Sequence, residues 1–217
     1  MNGLLVLICA PLLLVLVLAS EKTGNQWRHV LAKALLSSLF ILAAVLQTGL
    51  RPSYGTFILA GLFSCFCGDV LLALPGRKVF LAGLLSFLIG HVWYIFAFAT
   101  IAQLWTSVAA PVSIIVVSGG YAVYRWLKPS VGSMNMPVIL YIVVISAMVI
   151  AAFSVLAASE AGMQGRVMAF AGAVCFYISD IFVARNRFIK KEFINRLAGL
   201  PLYYTGQFLL AFSIGVT

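Results

Sequence analysis

Acidic residues are nearly missing from this chain. Its 217 residues include five Asp and Glu in all, and charged residues of both signs make up only 9%. A soluble domain carries about a quarter, so a water-facing globular surface is excluded. Cysteine is also scarce, at four residues, and no short repeat is present, which excludes a disulfide scaffold or a solenoid. Histidine occurs twice, as His29 and His91. A zinc site needs three or four ligands, so metal hydrolysis is not expected. Cys65 and Cys67 are two residues apart, which turns them to different sides of a helix. With Cys9 and Cys175 they are expected to be small buried apolar residues. No Gly-x-Ser-x-Gly nucleophile elbow occurs.

What the chain has is apolar length. Apolar residues make up 64% and mean hydropathy is +1.13. A membrane-crossing helix needs roughly 20 mostly apolar residues. Eight stretches qualify: 3–19, 30–48, 54–73, 79–102, 107–126, 137–158, 166–184 and 197–216. The fifth is interrupted by Pro111, Gly119 and Gly120. The connections are short, so the expectation is an all-α, polytopic membrane helix bundle, with residues 1–217 forming a single transmembrane domain. The first stretch has no basic residue before it and is read as a retained helix rather than a signal peptide.

The basic residues test that count. Alternate connections collect Lys22, Arg28, Lys33, Arg77, Lys78, Arg125, Lys128, Arg185, Arg187, Lys190, Lys191 and Arg196, and the opposite side collects Arg51 and Arg166. This 12-to-2 split supports eight spans with both termini outside the cytoplasm, as expected for a bacterial inner-membrane protein. It also accounts for the formal charge of +9. The positive face meets anionic lipid headgroups, and no nucleic-acid partner is needed. Ala60–Ala73 and Ala171–Ala184 share alanine, glycine, aspartate and alanine at matched positions 111 residues apart. Both stretches cross in the same direction, which suggests a parallel repeat of four helices each.

Asp69 and Asp180 are the two acids within spans, whereas Glu21, Glu160 and Glu192 fall in connections and read as surface charges. A carboxylate at membrane depth costs at least about 2.5–3.5 kcal/mol, so it faces a cavity or a partner. Each Asp lies five residues before the first residue past its span, Leu74 or Arg185, about 7–8 Å below the cytoplasmic boundary. Matched depth suggests one shared site. The bland reading is that each pairs with a cation such as Lys33 or Arg185. His91 and Tyr94 share a face of the fourth span, with His91 about 18 Å from the cytoplasmic end. Tyr203 or Tyr204 reaches the depth of the Asp pair, and Gln207 lies one turn deeper. A buried His or Gln can also serve as interhelical glue. Lys33 is expected to snorkel to the interface, or to hold a lipid phosphate.

The runs G-D-V-L-L-A-L-P (68–75), G-H-V-W-Y (90–94), I-S-D (178–180) and Y-Y-T-G-Q-F (203–208) together resemble the YhhN family of membrane lysoplasmalogenases. Trp27 to Lys33 is similar to the start of the family's second helix. There the family often has proline after the lysine, and this chain has Ala34. The resemblance implies hydrolysis of the vinyl ether of 1-alkenyl lysophospholipids to a fatty aldehyde and a glycerophospho-alcohol, without a cofactor or metal. It implies Asp69 and Asp180 as catalytic residues, with His91, Tyr94, Tyr204 and Gln207 beside the substrate. Lys33 and the basic face would take the phosphate. The chemistry suits two carboxyl groups: one protonates the alkenyl carbon, the other steadies the resulting oxocarbenium ion and activates water. The alternative is a proton-coupled transporter of a small or lipid-like solute, which also uses paired membrane acids.

Overall fold

The computed structural model describes residues 2–23, 25–47, 52–104, 107–158 and 161–216. Among them all regular structure is helical. The long elements are α1 (Asn2–Thr23), α2 (Gln26–Val45), α3 (Pro52–Leu72), α4 (Arg77–Ala99), α5 (Ala110–Val131), α6 (Asn135–Ala157), α7 (Met163–Ala184) and α8 (Phe193–Ser213). Each expected span has its helix, usually a few residues longer at the basic end. The extension makes sense physically, because Lys and Arg stems can cover apolar surface while their heads stay in the headgroup layer. His29, expected in a connection, lies in the first turn of α2, whose start is capped by the Asn25 side chain accepting from the Arg28 N–H at 3.1 Å. Pro111 does not interrupt α5. It sits in the first turn, where its missing N–H costs nothing, and the helix runs on through Gly119 and Gly120. Arg51 and Glu160 lie outside the described residues.

Among the described residues, six helical stretches are long and apolar enough to cross a membrane, one of them running through α5 and α6. The exterior agrees. Leu12, Val15, Ile114 and Ile115 are each more than 60% exposed at mid-helix. The polar groups Ser37, Asp69, His91, Gln207 and Ser213 are buried. An apolar outside around a polar interior is the arrangement of a helix bundle in lipid.

Side-chain contacts gather ends of odd-numbered helices and starts of even-numbered ones at one end of the bundle. Side chains tie this end together. Arg77 Nη2 donates to Ser133 Oγ at 2.5 Å, joining the α3–α4 and α5–α6 turns. The Arg187 guanidinium lies 4.1 Å from the centre of the Phe80 ring, joining the α3–α4 and α7–α8 turns. Arg196 Nε pairs with Glu21 at 3.4 Å, joining α8 to the end of α1. Glu21 is thus not a plain surface charge: His29 Nε2 sits 3.2 Å from its other oxygen. At the opposite end Tyr54 and Ser213 hydroxyls meet at 2.7 Å.

Small residues let α7 and α8 approach closely. A Cβ built on Gly206 would lie 2.8 Å from the Gly172 carbonyl oxygen, and one built on Gly172 would lie 2.9 Å from the Gly206 carbonyl. These are backbone-to-backbone contacts that cannot yield by a rotamer change. Gly206→Ala is therefore expected to destabilise the bundle by about 1–3 kcal/mol. Gly119→Ala is the control, since its nearest neighbour is 4.0 Å away. Thermal unfolding of the two variants in detergent checks this, with a lower midpoint for the first and no loss for the second.

Candidate active site

The basic end opens into a cavity of about 100 Å³. Its wall is mostly apolar, built by α2 through α8, and its polar lining includes Lys33, Asp69, Tyr141, Asp180 and Tyr203. Both membrane aspartates thus face one space, from α3 and α7. They are held very differently.

Asp69 is buried and saturated with donors. Lys33 Nζ lies 2.9 Å from Oδ1, with both side chains 5% exposed or less. Ser37 Oγ donates to Oδ2 at 2.6 Å, and the Tyr203 hydroxyl donates to the same oxygen at 2.7 Å. Lys33 and Ser37 are four residues apart on α2, which places both on one helix face toward α3. Lys33 therefore does not snorkel. A partner in the interior outweighs the interface, because an unpaired buried carboxylate costs several kcal/mol. Asp69 thus pairs with a cation, Lys33, and also lines the cavity with Asp180. Arg185 is engaged elsewhere.

Asp180 is half-buried and has one donor, the Tyr141 hydroxyl, at 2.6 Å from Oδ2. No cation lies within ion-pair distance of it among the described residues. One aspartate is thus fixed beside a positive charge, and the other faces the cavity with a hydroxyl alone.

The remaining expected residues stand behind this wall. Tyr204 is one step from Asp69, its hydroxyl 3.3 Å from Ser37 Oγ. Tyr94 donates to Gln207 Oε1 at 2.7 Å, with Cys65 Sγ 3.8 Å from the same hydroxyl. His91 is fully buried, and its ring packs against Phe176 at 4.6 Å and Tyr141 at 5.2 Å between centres. Neither ring nitrogen has a hydrogen-bond partner among the described residues, nor does Gln207 Nε2. Of the expected residues, Lys33, Asp69 and Asp180 line the cavity, whereas His91, Tyr94, Tyr204 and Gln207 do not. Cys65 is buried, whereas Cys9, Cys67 and Cys175 are only half-buried, which lipid tolerates. Among the described residues no group of three His, Cys, Asp or Glu side chains is placed to hold a metal.

Sequence reasoning missed Ser37, Tyr141 and the choice of Tyr203 as the tyrosine that touches Asp69. Ser37 carried a signal in its spacing of four from Lys33. Tyr141 carried a weaker one, as an isolated hydroxyl in the run Val138–Ile145.

The mouth is braced by the turn after α7, whose residues Arg185–Ile189 form a π-helical turn. Arg185 donates to Asn195 Oδ1 and, at 2.6 Å, to Glu192 Oε2. Asn195 Nδ2 donates in turn to the Lys190 carbonyl at 2.8 Å. Lys190 Nζ lies 2.7 Å from Glu192 Oε1. Hydrogen bonds from Lys190, and then Arg185, hold the Glu192 carboxyl below the usual range.

Residues 27–214 match the YhhN family model, and the chain belongs to that family. It is 30% identical over 191 residues to proteins named lysoplasmalogenase from Mycobacterium bovis and Mycobacterium tuberculosis, covering 86% of this chain and 69% of each relative. It is 29% identical over 177 residues to human lysoplasmalogenase TMEM86A, covering 81% of this chain and 72% of the relative. No solved structure matches the chain significantly.

The Lys33–Asp69 pair yields a test. Lys33→Met leaves the carboxylate uncompensated and is expected to cost about 3–5 kcal/mol. Adding Asp69→Asn removes the stranded charge and should recover more than half of the loss. A double-mutant cycle by unfolding in detergent measures this, and additive losses would contradict the coupling.

Proposed function

We propose that this protein is a lysoplasmalogenase. It hydrolyses the vinyl ether of 1-alkenyl lysophospholipids, releasing a fatty aldehyde and a glycerophospho-alcohol. The observation that carries the reading is the unequal pair of aspartates on one apolar cavity wall. The relatives' names support it. The residues suit the reaction, because vinyl ether hydrolysis begins with proton transfer to carbon and needs no covalent nucleophile.

Asp180 is the proton carrier, since it has no cation to hold it as a carboxylate. Its proton goes to the alkenyl carbon distal to the ether oxygen, and the adjacent carbon becomes an oxocarbenium ion. Asp69 is the fixed negative charge that steadies this cation, held in place by Lys33, Ser37 and Tyr203 before the substrate arrives. Water adds to the cation, and its spare proton returns to Asp180. The hemiacetal then collapses, its hydroxyl proton passing to the glycerol oxygen as the carbon–oxygen bond breaks. One water is consumed and the aspartates end as they began. His91, Tyr94, Tyr204 and Gln207 support the wall from behind rather than touching the lipid.

The chain works as one transmembrane domain of eight spans in a bacterial inner membrane, with both termini outside and the cavity opening to the cytoplasmic leaflet. The basic end supports that orientation. A parallel repeat of four helices is supported by the helix starts: Pro52 and Met163, the first residues of α3 and α7, are 111 apart, the spacing of the matched sequence runs.

Purified protein in detergent is expected to release aldehyde from 1-alkenyl lysophospholipid, with no need of a second compartment. Asp69→Asn and Asp180→Asn are each expected to insert, purify and lose more than about 90% of the rate, a barrier increase above about 1.4 kcal/mol. A variant retaining more would remove that aspartate from its role. A transporter would give flux in vesicles and no aldehyde.

A further inference from the structure

The mechanism leaves the lipid phosphate without a partner. Among the described residues the cavity lining contains two cations, Lys33 and Arg196. Lys33 is committed, its ammonium 2.9 Å from Asp69 in a buried pair. Moving it to a phosphate would strand that carboxylate. Asn195, the neighbouring amide on the wall, is also committed: it accepts from Arg185 and donates to Asn186 and the Lys190 carbonyl.

Arg196 is different. It lies in the first turn of α8, its side chain 23% exposed. Its Nε is 3.4 Å from Glu21 Oε1 and makes no hydrogen bond. No described hydrogen bond uses its Nη groups. Glu21 therefore fixes the guanidinium by charge and leaves its terminal donors for another acceptor, in the fork geometry that suits a phosphate. The surroundings favour an anion. Arg185 and Lys190 share Glu192 and Arg196 has Glu21, while Arg187 pairs with no acid among the described residues and rests on the ring of Phe80, which lines the cavity.

Distance agrees with the chemistry. Arg196 precedes Tyr203, the residue that touches Asp69, by seven positions on one helix, a rise of about 10 Å. In a 1-alkenyl lysophospholipid, six bonds separate phosphorus from the alkenyl carbon that becomes cationic beside Asp69, and seven from the carbon that takes the proton. At about 1.25 Å of extension per bond that is about 8–9 Å. We propose that Arg196 binds the phosphodiester of the lysolipid and so sets the depth at which the vinyl ether meets Asp69 and Asp180. This rests on the lysoplasmalogenase reading. It makes Arg196 the residue that selects phospholipids over neutral ether lipids.

The test compares two substrates that differ only in the headgroup: 1-alkenyl-lysophosphatidylethanolamine and the 1-alkenylglycerol of the same chain. Arg196→Gln should lower kcat/KM for the phospholipid roughly 10- to 100-fold and leave the glycerol within about twofold. Arg196→Lys should restore part of the loss. An equal fall for both substrates, meaning a purely structural arginine, or no fall for either, would overturn the proposal. Binding of the uncleavable 1-alkyl-lysophosphatidylethanolamine and 1-alkylglycerol to purified protein, by calorimetry in detergent, separates this from the catalytic reading. Wild type that discriminates through Arg196 but cleaves nothing would retain the phosphate site and refute hydrolysis. Wild type that cleaves, with wild type and Arg196→Gln each binding the two lipids equally well, would do the reverse. Inorganic phosphate is titrated alongside. If it binds at Arg196 and the lysolipid cannot displace it, the site is not a lipid headgroup site.

Discussion

The ion pair between Lys33 and Asp69 is the constraint around which this site is built. A carboxylate in the membrane interior costs several kcal/mol unless it is paired and hydrogen-bonded. Here the pairing draws in α2 through Lys33 and Ser37, α3 through Asp69, and α8 through Tyr203. Three helices are thereby brought to one point at the cavity wall. Such a pair is weak as a source of stability and strong as a source of specificity. It holds a negative charge at a set place before any substrate arrives, and a preorganised charge is what a developing cation requires.

Asp180 is the counterpart that this constraint leaves free. Its one donor is a tyrosine from α6, and it looks into an apolar space. Two carboxyl groups of one residue type are therefore held differently, because one has a cation and the other does not. The two halves of the site meet through ring contacts rather than charges. Phe176 packs tilted against His91 at 4.6 Å and edge-on against Tyr203 at 5.2 Å, and His91 packs edge-on against Tyr141. Ring packing of this kind fixes distance without adding a competing charge. The cations gather instead at the mouth, where lipid phosphates lie in a bilayer.

Much of the fold was legible because lipid imposes few solutions. Apolar length located every helix, and the alternation of basic residues sorted their ends. The two membrane acids stood out because no other acid lies within the spans, and they do share one cavity. What composition could not reveal was partnership. Lys33 looked like a snorkelling lysine, since position along a helix says nothing of which helix lies opposite. Ser37 and Tyr141 were hidden because a hydroxyl in an apolar run is cheap and common. Tyr203 and Tyr204 are adjacent in sequence, and helix rotation alone decides which reaches Asp69. Glu21 read as a surface charge until the packing of α1 and α2 against α8 put His29 and Arg196 beside it.

Carbon protonation is the central chemical claim, and the fate of a solvent proton tests it most directly. Hydrolysis of 1-alkenyl lysophospholipid by the purified protein in heavy water should place one deuterium on the carbon next to the aldehyde. The aldehyde must be trapped before it can exchange and then read by mass spectrometry. Aldehyde trapped in the same way without deuterium would contradict proton transfer from Asp180, and with it the division of labour between the two aspartates.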